Sequence, residues 1–470
     1  MNEQTITLPN GLRVILIPTD SPVVYCGYQL KAGSRHEHNN EEGLAHFCEH
    51  TTFKGTHHRK AWQILNSLES VGGSLNAYTN KEDTTYYASV LSEYAQRAID
   101  LLTDIVFHST YPQREIDKEV EVICDEIESY NDSPSELIYD DFENLLFKGH
   151  PLGHNILGTA SRVRQFTTAD ALRFTRQYYR PDNAVFFCTY RPKDRLSPER
   201  IRKMLEKAFD KYKEPAHDLP IDTLPVTDSL AKQGNTLAPL TMTDGMGIRL
   251  LQTHQAHVMV GAKAFDFNDP RRTALSLLNN LLGGPGMNAR LNIVLREHRG
   301  LVYTVESSLT AYSDTGVWCT YLGCDAKDIK RCLYLVRREL DRLCNQPLTE
   351  TRLKAAKRQL KGQIGIACDN HENYALDTAR YYLLKNHPYD IQAQYQAIDA
   401  LTPQDLQQVA QQVFDKNRIF TLIYKKEEAR GLLYLLLPTL PTLAYLAYFC
   451  LPLPTLPTPP TATTQPHCPC

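Results

Sequence analysis

The chain repeats one order of predicted elements in its two halves, and this duplication limits the folds that it can adopt. Residues 75–107 alternate like two strands around a polar turn and end in an amphipathic helix. Residues 302–340 show the same order. A Lys-x-His-Pro sequence also recurs at 148–151 and 385–388. Self-similarity over half the chain predicts two duplicated domains.

The length of 470 residues corresponds to two or three average domains. A Pro-rich stretch of weak periodicity, 213–240, is the predicted join between the halves. We therefore expect a first domain at 1–215, a linker at 216–240 and a second domain at 241–426. The remaining residues, 427–470, form an apolar, Pro-rich tail.

The tail carries no charge from 432 to 456, which is long enough for a membrane span. Four prolines interrupt this segment, and its longest proline-free run is the ten residues 442–451. We expect a poorly ordered or non-native appendage. A C-terminal membrane anchor is the alternative, and the abrupt change of composition is also compatible with a reading-frame artefact.

Charge and cysteine usage exclude several classes of function. The formal net charge is −3, so the chain has no broad electrostatic attraction for nucleic acid or for an anionic membrane. The N-terminal segment lacks the basic and then apolar pattern of a signal peptide. The twelve cysteines are scattered, without a Cys-x-x-Cys pair in the body of the chain, which favours reduced thiols over a disulfide framework. We predict a cytoplasmic protein.

The strongest candidate for chemistry is the stretch 46–50, which reads His-Phe-Cys-Glu-His. A helix over 44–54 would place His46 and His50 on one face, about one turn apart, where both imidazoles can reach one zinc ion. Glu49 would lie at the flank of that face, which is the position of a general base. The chain has 16 histidines, so the pentapeptide alone leaves a metal site and two ordinary histidines equally open.

A zinc hydrolase needs a third protein ligand, and the acidic helix predicted at 114–132 is the obvious donor. Its apolar residues recur at the spacing of a buried helix face: Ile116, Val120, Ile123 and Ile127. Glu119 and Glu126 are seven residues apart and share another face. An acidic helix is by default a solvated surface, and composition alone does not choose among its acids.

The order His-x-x-Glu-His, GGSLNAYT and two glutamates seven apart resembles the pitrilysin/insulinase family of zinc peptidases. The likeness is to the mitochondrial-processing-peptidase-like branch of these inverzincins. By this resemblance, one zinc ion per chain is bound by His46, His50 and Glu126. Glu49 is then the base and Glu119 a supporting carboxylate.

The resemblance covers roughly residues 5–425 and also implies a fold class. That fold is α+β, with two homologous domains that form a clamshell. Each domain is a mostly antiparallel sheet packed with helices. The first domain would be catalytic and bind zinc, and the second would bind substrate.

Two further pairs of residues match family positions. By the resemblance, Arg296 fixes the substrate backbone and Tyr303 hydrogen-bonds the oxyanion. Asn76 and Ala77 correspond to substrate-binding positions on an edge strand, which can hold an extended peptide through main-chain bonds. Without the resemblance, a strand tyrosine is usually a core residue and 72–91 is an ordinary hairpin.

Together these inferences predict a zinc-dependent endopeptidase that cleaves unfolded or short peptides, with a zinc-bound water as nucleophile and Glu49 as its base. The alternative is a non-catalytic assembly or chaperone-like subunit of the same family. The expected partner is a peptide substrate and not a nucleic acid. A membrane is not expected unless the segment 432–456 is an anchor, and a homodimer is allowed.

Overall fold

The computed structural model describes residues 3–211, 240–243 and 245–426, and its strands form two six-stranded sheets. The first sheet consists of β1 (Gln4–Thr7), β2 (Arg13–Pro18), β3 (Val23–Leu30), β4 (Ser74–Thr79), β5 (Thr84–Leu91) and β6 (Ala184–Tyr190). The second consists of β7 (Leu240–Thr243), β8 (Met246–Leu250), β9 (Ala256–Ala264), β10 (Val302–Ala311), β11 (Gly316–Cys324) and β12 (Phe420–Lys425).

The two sheets have the same topology. Neighbours run β1-β2-β6-β3-β5-β4 in the first sheet and β7-β8-β12-β9-β11-β10 in the second. Each sheet has one parallel pair, β2 with β6 or β8 with β12, and its other neighbours are antiparallel. The prediction of two homologous α+β domains with mostly antiparallel sheets is therefore confirmed.

The helices also divide between the halves. The first half contains α1 (Leu44–Thr52), α2 (Ala61–Glu69), α3 (Ala95–His108), α4 (Gln113–Asn131), α5 (Pro134–Leu146), α6 (Ala160–Val163), α7 (Thr168–Tyr178) and α8 (Pro198–Lys211). The second half contains α9 (Arg272–Gly283), α10 (Ile329–Asn345), α11 (Glu350–Ala367), α12 (His371–Lys385), α13 (Ile391–Ala400) and α14 (Pro403–Val413). The order strand, turn, strand, helix is β4-β5-α3 in one half and β10-β11-α10 in the other.

Burial differs between the middle and the edge of each sheet. Every residue of the inner strands β6 and β11 is buried, because both faces of these strands are covered. The edge strands β4 and β10 keep exposed residues. An edge strand has unpaired main-chain groups on its outer side, so β4 and β10, like the opposite edges β1 and β7, can pair with a further extended segment.

Each sheet is covered on one face by a helix from the other half. Leu137, Ile138 and Phe142 of α5 share a buried cluster with Met259 and Leu422 of the second sheet. Helix α12 makes the reciprocal contact with the first sheet, through a buried cluster that contains Ala375, Ala379, Ile15 and Val185. The two halves therefore exchange one helix each.

The Lys-x-His-Pro repeat marks the ends of these exchanged helices. Its second residue has a left-handed backbone in both copies, with φ of 78° at Gly149 and 56° at Asn386. Glycine and asparagine are the residues that adopt this conformation most readily, and it commonly ends a helix.

Within the described ranges, no helix is long and apolar enough to cross a lipid bilayer. Two sequence predictions fall outside these ranges. One is the tail at 427–470, with its uncharged segment 432–456, and the other is the linker at 216–240, apart from its last residue.

Candidate metal centre

Helix α1 carries two histidines on one face. It begins after Gly43, whose φ is 97°, and a side chain at this position would collide with the backbone of a neighbouring loop. The backbone N–H groups of Gly43 and Ala45 donate to the buried carboxylate of Glu37 at 3.1 and 2.8 Å, which satisfies donors that a helix N-terminus leaves free. The rings of His46 and His50 then lie 4.6 Å apart.

Helix α4 supplies the third member of the cluster. The apolar face predicted for this helix is buried: Ile116, Val120, Ile123 and Ile127. Glu126 points toward α1, with Oε1 at 3.7 Å from His46 Nε2 and Oε2 at 3.2 Å from His50 Nε2. One ligand atom from each of the three residues lies within 4.8 Å of the other two.

The donor set and its spacing fit a zinc ion. Four tetrahedral ligands at about 2.0–2.2 Å from zinc lie about 3.3–3.6 Å from one another, which is close to the 3.2 and 3.7 Å between the carboxylate and the two Nε2 atoms. Two imidazoles and one carboxylate form a typical catalytic zinc site with one further coordination position.

Glu119 holds the outer side of the His50 ring. Its Oε1 lies 3.0 Å from His50 Nδ1, and its Oε2 lies 2.5 Å from Lys54 Nζ. A carboxylate on the distal nitrogen of a ligand histidine fixes the ring orientation and strengthens the metal bond. The supporting role that the family resemblance implies for Glu119 stays a prediction. The sequence did not predict a role for Lys54. Lys54 lies one turn after His50, and its pairing with Glu119 cannot be inferred until the position of Glu119 is known.

The protein groups alone give the two histidines opposite pKa shifts. Burial and the nearby charge of His50 lower the pKa of His46 to about 4. Burial also opposes the charge on His50, but hydrogen bonds to Glu119 and Glu126 outweigh it and raise the pKa of His50 to about 9. The bond to His50 lowers the pKa of Glu126. Glu126 is therefore ionised at neutral pH, as a metal ligand must be.

Glu49 lies beside the cluster and contacts the first sheet. Its carboxylate Oε2 accepts a hydrogen bond of 2.6 Å from the hydroxyl of Thr79, the last residue of β4. Burial raises the pKa of Glu49, and the bond from Thr79 opposes this shift. Thr79 is a second residue that sequence reasoning missed, although it lies in the GGSLNAYT stretch that carried the resemblance.

The predicted substrate-binding residues Asn76 and Ala77 lie in β4. They pair with Tyr87 and Tyr86 of β5 on one side, and the order of the sheet leaves the other side of β4 as its edge. Asn76 is exposed and Ala77 is half-buried. Both therefore lie on the edge strand that ends at Thr79.

Arg296 and Tyr303 lie in the second half. Arg296 is exposed in a helical turn of π geometry, Asn292–Glu297. Tyr303 lies at the start of the edge strand β10, where the register with β11 shifts between Val302 and Thr304. Its side chain is 63% exposed, so Tyr303 is not the core residue that a strand tyrosine usually is. The catalytic roles of this pair stay predictions.

Two family models match the chain. Residues 13–160 match the insulinase (peptidase family M16) model, and residues 165–360 match the peptidase M16 inactive domain. The first match contains the His-x-x-Glu-His sequence, and the second falls mostly in the half that lacks it.

Known proteins resemble the chain over most of its length. An uncharacterized zinc protease of Bacillus subtilis is 30% identical over 89% of this chain and 97% of its own length. The mitochondrial-processing peptidase subunit beta of Bos taurus is 29% identical over 87% of this chain and 82% of its own length. The crystal structure of a protease from Helicobacter pylori has a TM-score of 0.78 at 23% identity, and covers 90% of this chain and 99% of that one. At 23% identity, the similarity to the Helicobacter pylori structure shows a shared fold only.

Proposed function

Because the chain belongs to the insulinase (M16) peptidase family, we propose that it is a zinc-dependent endopeptidase that cleaves unfolded or short peptides. One observation carries the proposal. His46, His50 and Glu126 converge beside the buried carboxylate of Glu49, and Glu49 is bonded to the end of an exposed edge strand. The residues that we propose as ligands, as base and as peptide-binding strand thus lie next to one another.

Substrate binding is assigned to β4. An extended peptide can add to this edge as a further strand, with Asn76 and Ala77 opposite its main chain. A folded protein offers few free extended segments, so this mode of binding favours unfolded or short peptides. The end of β4 at Thr79 brings the bound peptide toward Glu49.

Proton transfer is assigned to Glu49. One zinc ion per chain, held by His46, His50 and Glu126, would supply a Lewis acid that polarises the peptide carbonyl and lowers the pKa of water. Glu49 accepts a proton from the attacking water and donates it to the leaving amine. Its raised pKa makes it a stronger base than an exposed glutamate, and Thr79 holds Oε2, so we assign the transfer to Oε1.

We assign to the second half the stabilisation of the negative charge that develops on the carbonyl oxygen. The exposed hydroxyl of Tyr303 would donate to that oxyanion, and the exposed guanidinium of Arg296 would hold the substrate backbone. We further propose a cytoplasmic location, because the cysteines of the described ranges are all free and reduced thiols are typical of that compartment.

A mixed peptide library, incubated with the metal-loaded protein, tests the proposal. Cleavage should stop with a zinc chelator and return when zinc is added. Glu49→Gln should keep one zinc per chain and lose turnover by about 10²–10⁴-fold, because only proton transfer is removed. The matched control is Glu206→Gln, on an exposed face of α8, which should change nothing.

Two outcomes would contradict this assignment. A wild-type protein that binds one zinc ion and cleaves no peptide would favour the non-catalytic subunit. Loss of zinc from Glu49→Gln would make Glu49 a ligand and not the base.

A further inference from the structure

A cavity of about 450 Å³ lies between helices α9, α11, α12 and α13 and the end of the edge strand β10. Its volume falls within the range of ligand pockets, about 300–1,000 Å³. The lining combines apolar side chains, among them Leu309, Leu360 and Ile398, with the guanidinium groups of Arg272 and Arg380. Among the described residues that line it, none is acidic. The cavity is therefore cationic with apolar walls.

Arg272 reaches this cavity without a carboxylate partner. It is half-buried in the first turn of α9, and its guanidinium lies 4.4 Å from the ring centroid of Phe267. Over the described ranges it forms no ion pair and no side-chain hydrogen bond. Burial lowers the pKa of Arg272, the nearby charge of Arg380 lowers it further, and Asp266 opposes the shift from beyond ion-pair distance. Because burial of an unpaired charge is unfavourable, an anion in the cavity would be stabilised.

The neighbouring Arg271 shows what Arg272 lacks. Its guanidinium also stacks on a phenylalanine, at 4.3 Å from the ring centroid of Phe265. In addition, its Nε and Nη2 donate to the two oxygens of Asp269 at 3.0 and 2.5 Å, and these bonds raise the pKa of Arg271. Two adjacent arginines with the same stacking contact thus differ in that only Arg271 has a carboxylate.

The cavity is connected to the proposed base by a short series of contacts. The Nε of Arg380 donates to Asp83 at 3.0 Å. Asp83 precedes Thr84, which is paired with Thr79 across the β4–β5 hairpin, and Thr79 donates to Glu49 at 2.6 Å. An extended peptide of ten residues spans about 30 Å, which exceeds the length of this series. One peptide is therefore long enough to contact both β4 and the cavity.

We propose that this cavity binds a carboxylate of the peptide substrate, with Arg272 as the contact that determines the preference. This inference rests on the proposed peptidase function. A guanidinium and a carboxylate form strong and often bidentate hydrogen bonds, and the apolar walls suit the aliphatic part of the same residue. The end of β10 can pair with the main chain of an extended peptide. The carboxylate comes from an acidic side chain or from the C-terminus of the peptide.

Peptide binding to Glu49→Gln measures this preference without cleavage. The probes are four random ten-residue libraries with an uncharged fluorophore at the N-terminus. Their C-terminus is either free or amidated, and Asp and Glu are either included or left out. We expect Arg272→Gln, in the same background, to weaken binding of the carboxylate-bearing libraries by about tenfold and to leave the carboxylate-free library unchanged. The library that loses affinity identifies the side chain or the C-terminus as the source.

Two results would overturn the proposal. One is that Arg272→Gln binds all four libraries as tightly as its parent does. The other is an equal loss of affinity for the carboxylate-free library, because Arg272 would then act on the structure and not on a carboxylate.

Arg271→Gln is the matched control, since Arg271 precedes the same helix and stacks in the same way. It should leave all four affinities unchanged, and a loss of the carboxylate preference equal to that of Arg272→Gln would overturn the proposal. If Arg272→Gln does not fold, Ser276→Asp replaces it. Ser276 lines the cavity one turn after Arg272, so an aspartate there gives Arg272 an internal partner. The preference should disappear, and its persistence would overturn the proposal.

Cleavage kinetics separate this inference from the proposed function. Arg272→Gln should raise KM for carboxylate-bearing peptides by about tenfold and change kcat by less than about threefold, because the contact is the same before and during the reaction. A fall in kcat with unchanged KM would overturn the proposal. A wild-type protein that cleaves no peptide would instead contradict the peptidase function, and the four binding affinities would still decide whether the cavity selects carboxylates.

Discussion

The hydroxyl of Thr79 donates a hydrogen bond of 2.6 Å to the carboxylate of Glu49. Thr79 ends the edge strand β4, and Glu49 immediately precedes a metal-ligand candidate in α1. The strand assigned to peptide binding and the residue assigned to proton transfer therefore meet at one contact, although 30 residues separate them in the sequence. If a peptide pairs with β4 as proposed, this contact would place it beside the proposed base.

Thr79→Val should move the acid limb of the pH–activity profile to higher pH. The bond from Thr79 stabilises the charged carboxylate and so lowers the pKa of Glu49. Its loss raises that pKa, and the base then stays protonated up to a higher pH. A hydrogen bond to a charged group contributes about 1.5–3 kcal/mol, which corresponds to about one to two pH units. The profile of kcat/KM against pH measures the shift.

Thr79→Ser is the control for this prediction, because serine keeps the hydroxyl. Its acid limb should coincide with that of the wild type. An unchanged limb in Thr79→Val would mean that another group limits activity at low pH.

Metal binding should distinguish the two glutamates of α4. Glu126→Gln should remove most of the zinc, since it removes one of three protein ligands. Glu119→Gln should keep a measurable site whose affinity is about 10–100-fold weaker, because it removes only the support of His50. Zinc content and affinity from competition with a chelator give both values. The reverse order of effects would exchange the roles of the two residues.

Tyr303→Phe and Arg296→Ala should affect different kinetic constants. The Tyr303 hydroxyl is proposed to bond a charge that develops in the transition state. Its loss should therefore raise the activation free energy by about 2.7–4 kcal/mol, which lowers kcat by about 10²–10³-fold. Arg296 is proposed to hold the backbone before reaction as well, so Arg296→Ala should mainly raise KM. Steady-state kinetics decide between these effects. If Tyr303→Phe binds one zinc ion per chain and keeps the kcat and KM of the wild type, its hydroxyl takes no part in the reaction. The second half would then only shape the site.

His36 should make the protein less stable in mild acid. Burial, with the positive charges of Lys31 and Arg35, lowers the pKa of His36 to about 3. Its unfolded pKa is about 6.5, so the contribution to stability is complete above pH 6.5 and is lost as the pH falls toward 3. The loss is about 1.4 kcal/mol per pH unit, or about 2 kcal/mol between pH 7 and pH 5.

The matched variant for this prediction is His36→Gln, which cannot titrate but can still accept from the Gly33 N–H that now bonds His36 Nδ1. Unfolding in urea at pH 7 and pH 5, with metal removed from both proteins, measures the difference. Equal pH dependence of the two unfolding free energies would show that His36 does not control it.

Helical periodicity was sufficient to predict that the two histidines of the candidate metal centre lie together. A helix places residues four apart on one face whatever surrounds it, so His46 and His50 converge for local reasons. The same rule buries Ile116 and Ile123 in α4 and leaves Glu126 on a different face. The choice of Glu126 as a ligand required the family resemblance, because the spacing of the acids in α4 does not say which of them faces α1.

The contacts between the halves were not predictable from local sequence. By composition, residues 80–83 form a polar turn, and polar turns are usually solvated. The structure buries this turn because Ser313 and Arg380 bind it, and these partners are 231 and 297 residues away in sequence from the acids that they contact. The Lys-x-His-Pro repeat indicated the duplication, but it carries no information on which sheet each helix covers.

The exchange of α5 and α12 has a consequence for synthesis on the ribosome. The first sheet is complete at Tyr190, whereas the helix that covers its outer face ends at Lys385. At about 5–20 residues per second, translation needs roughly 10–40 s to cover that distance. During this time the apolar side chains of the outer face, including Ile15 and Val185, lack their final cover. The nascent first half therefore exposes this apolar face until α12 has been made, and truncation before α12 should leave it prone to aggregate.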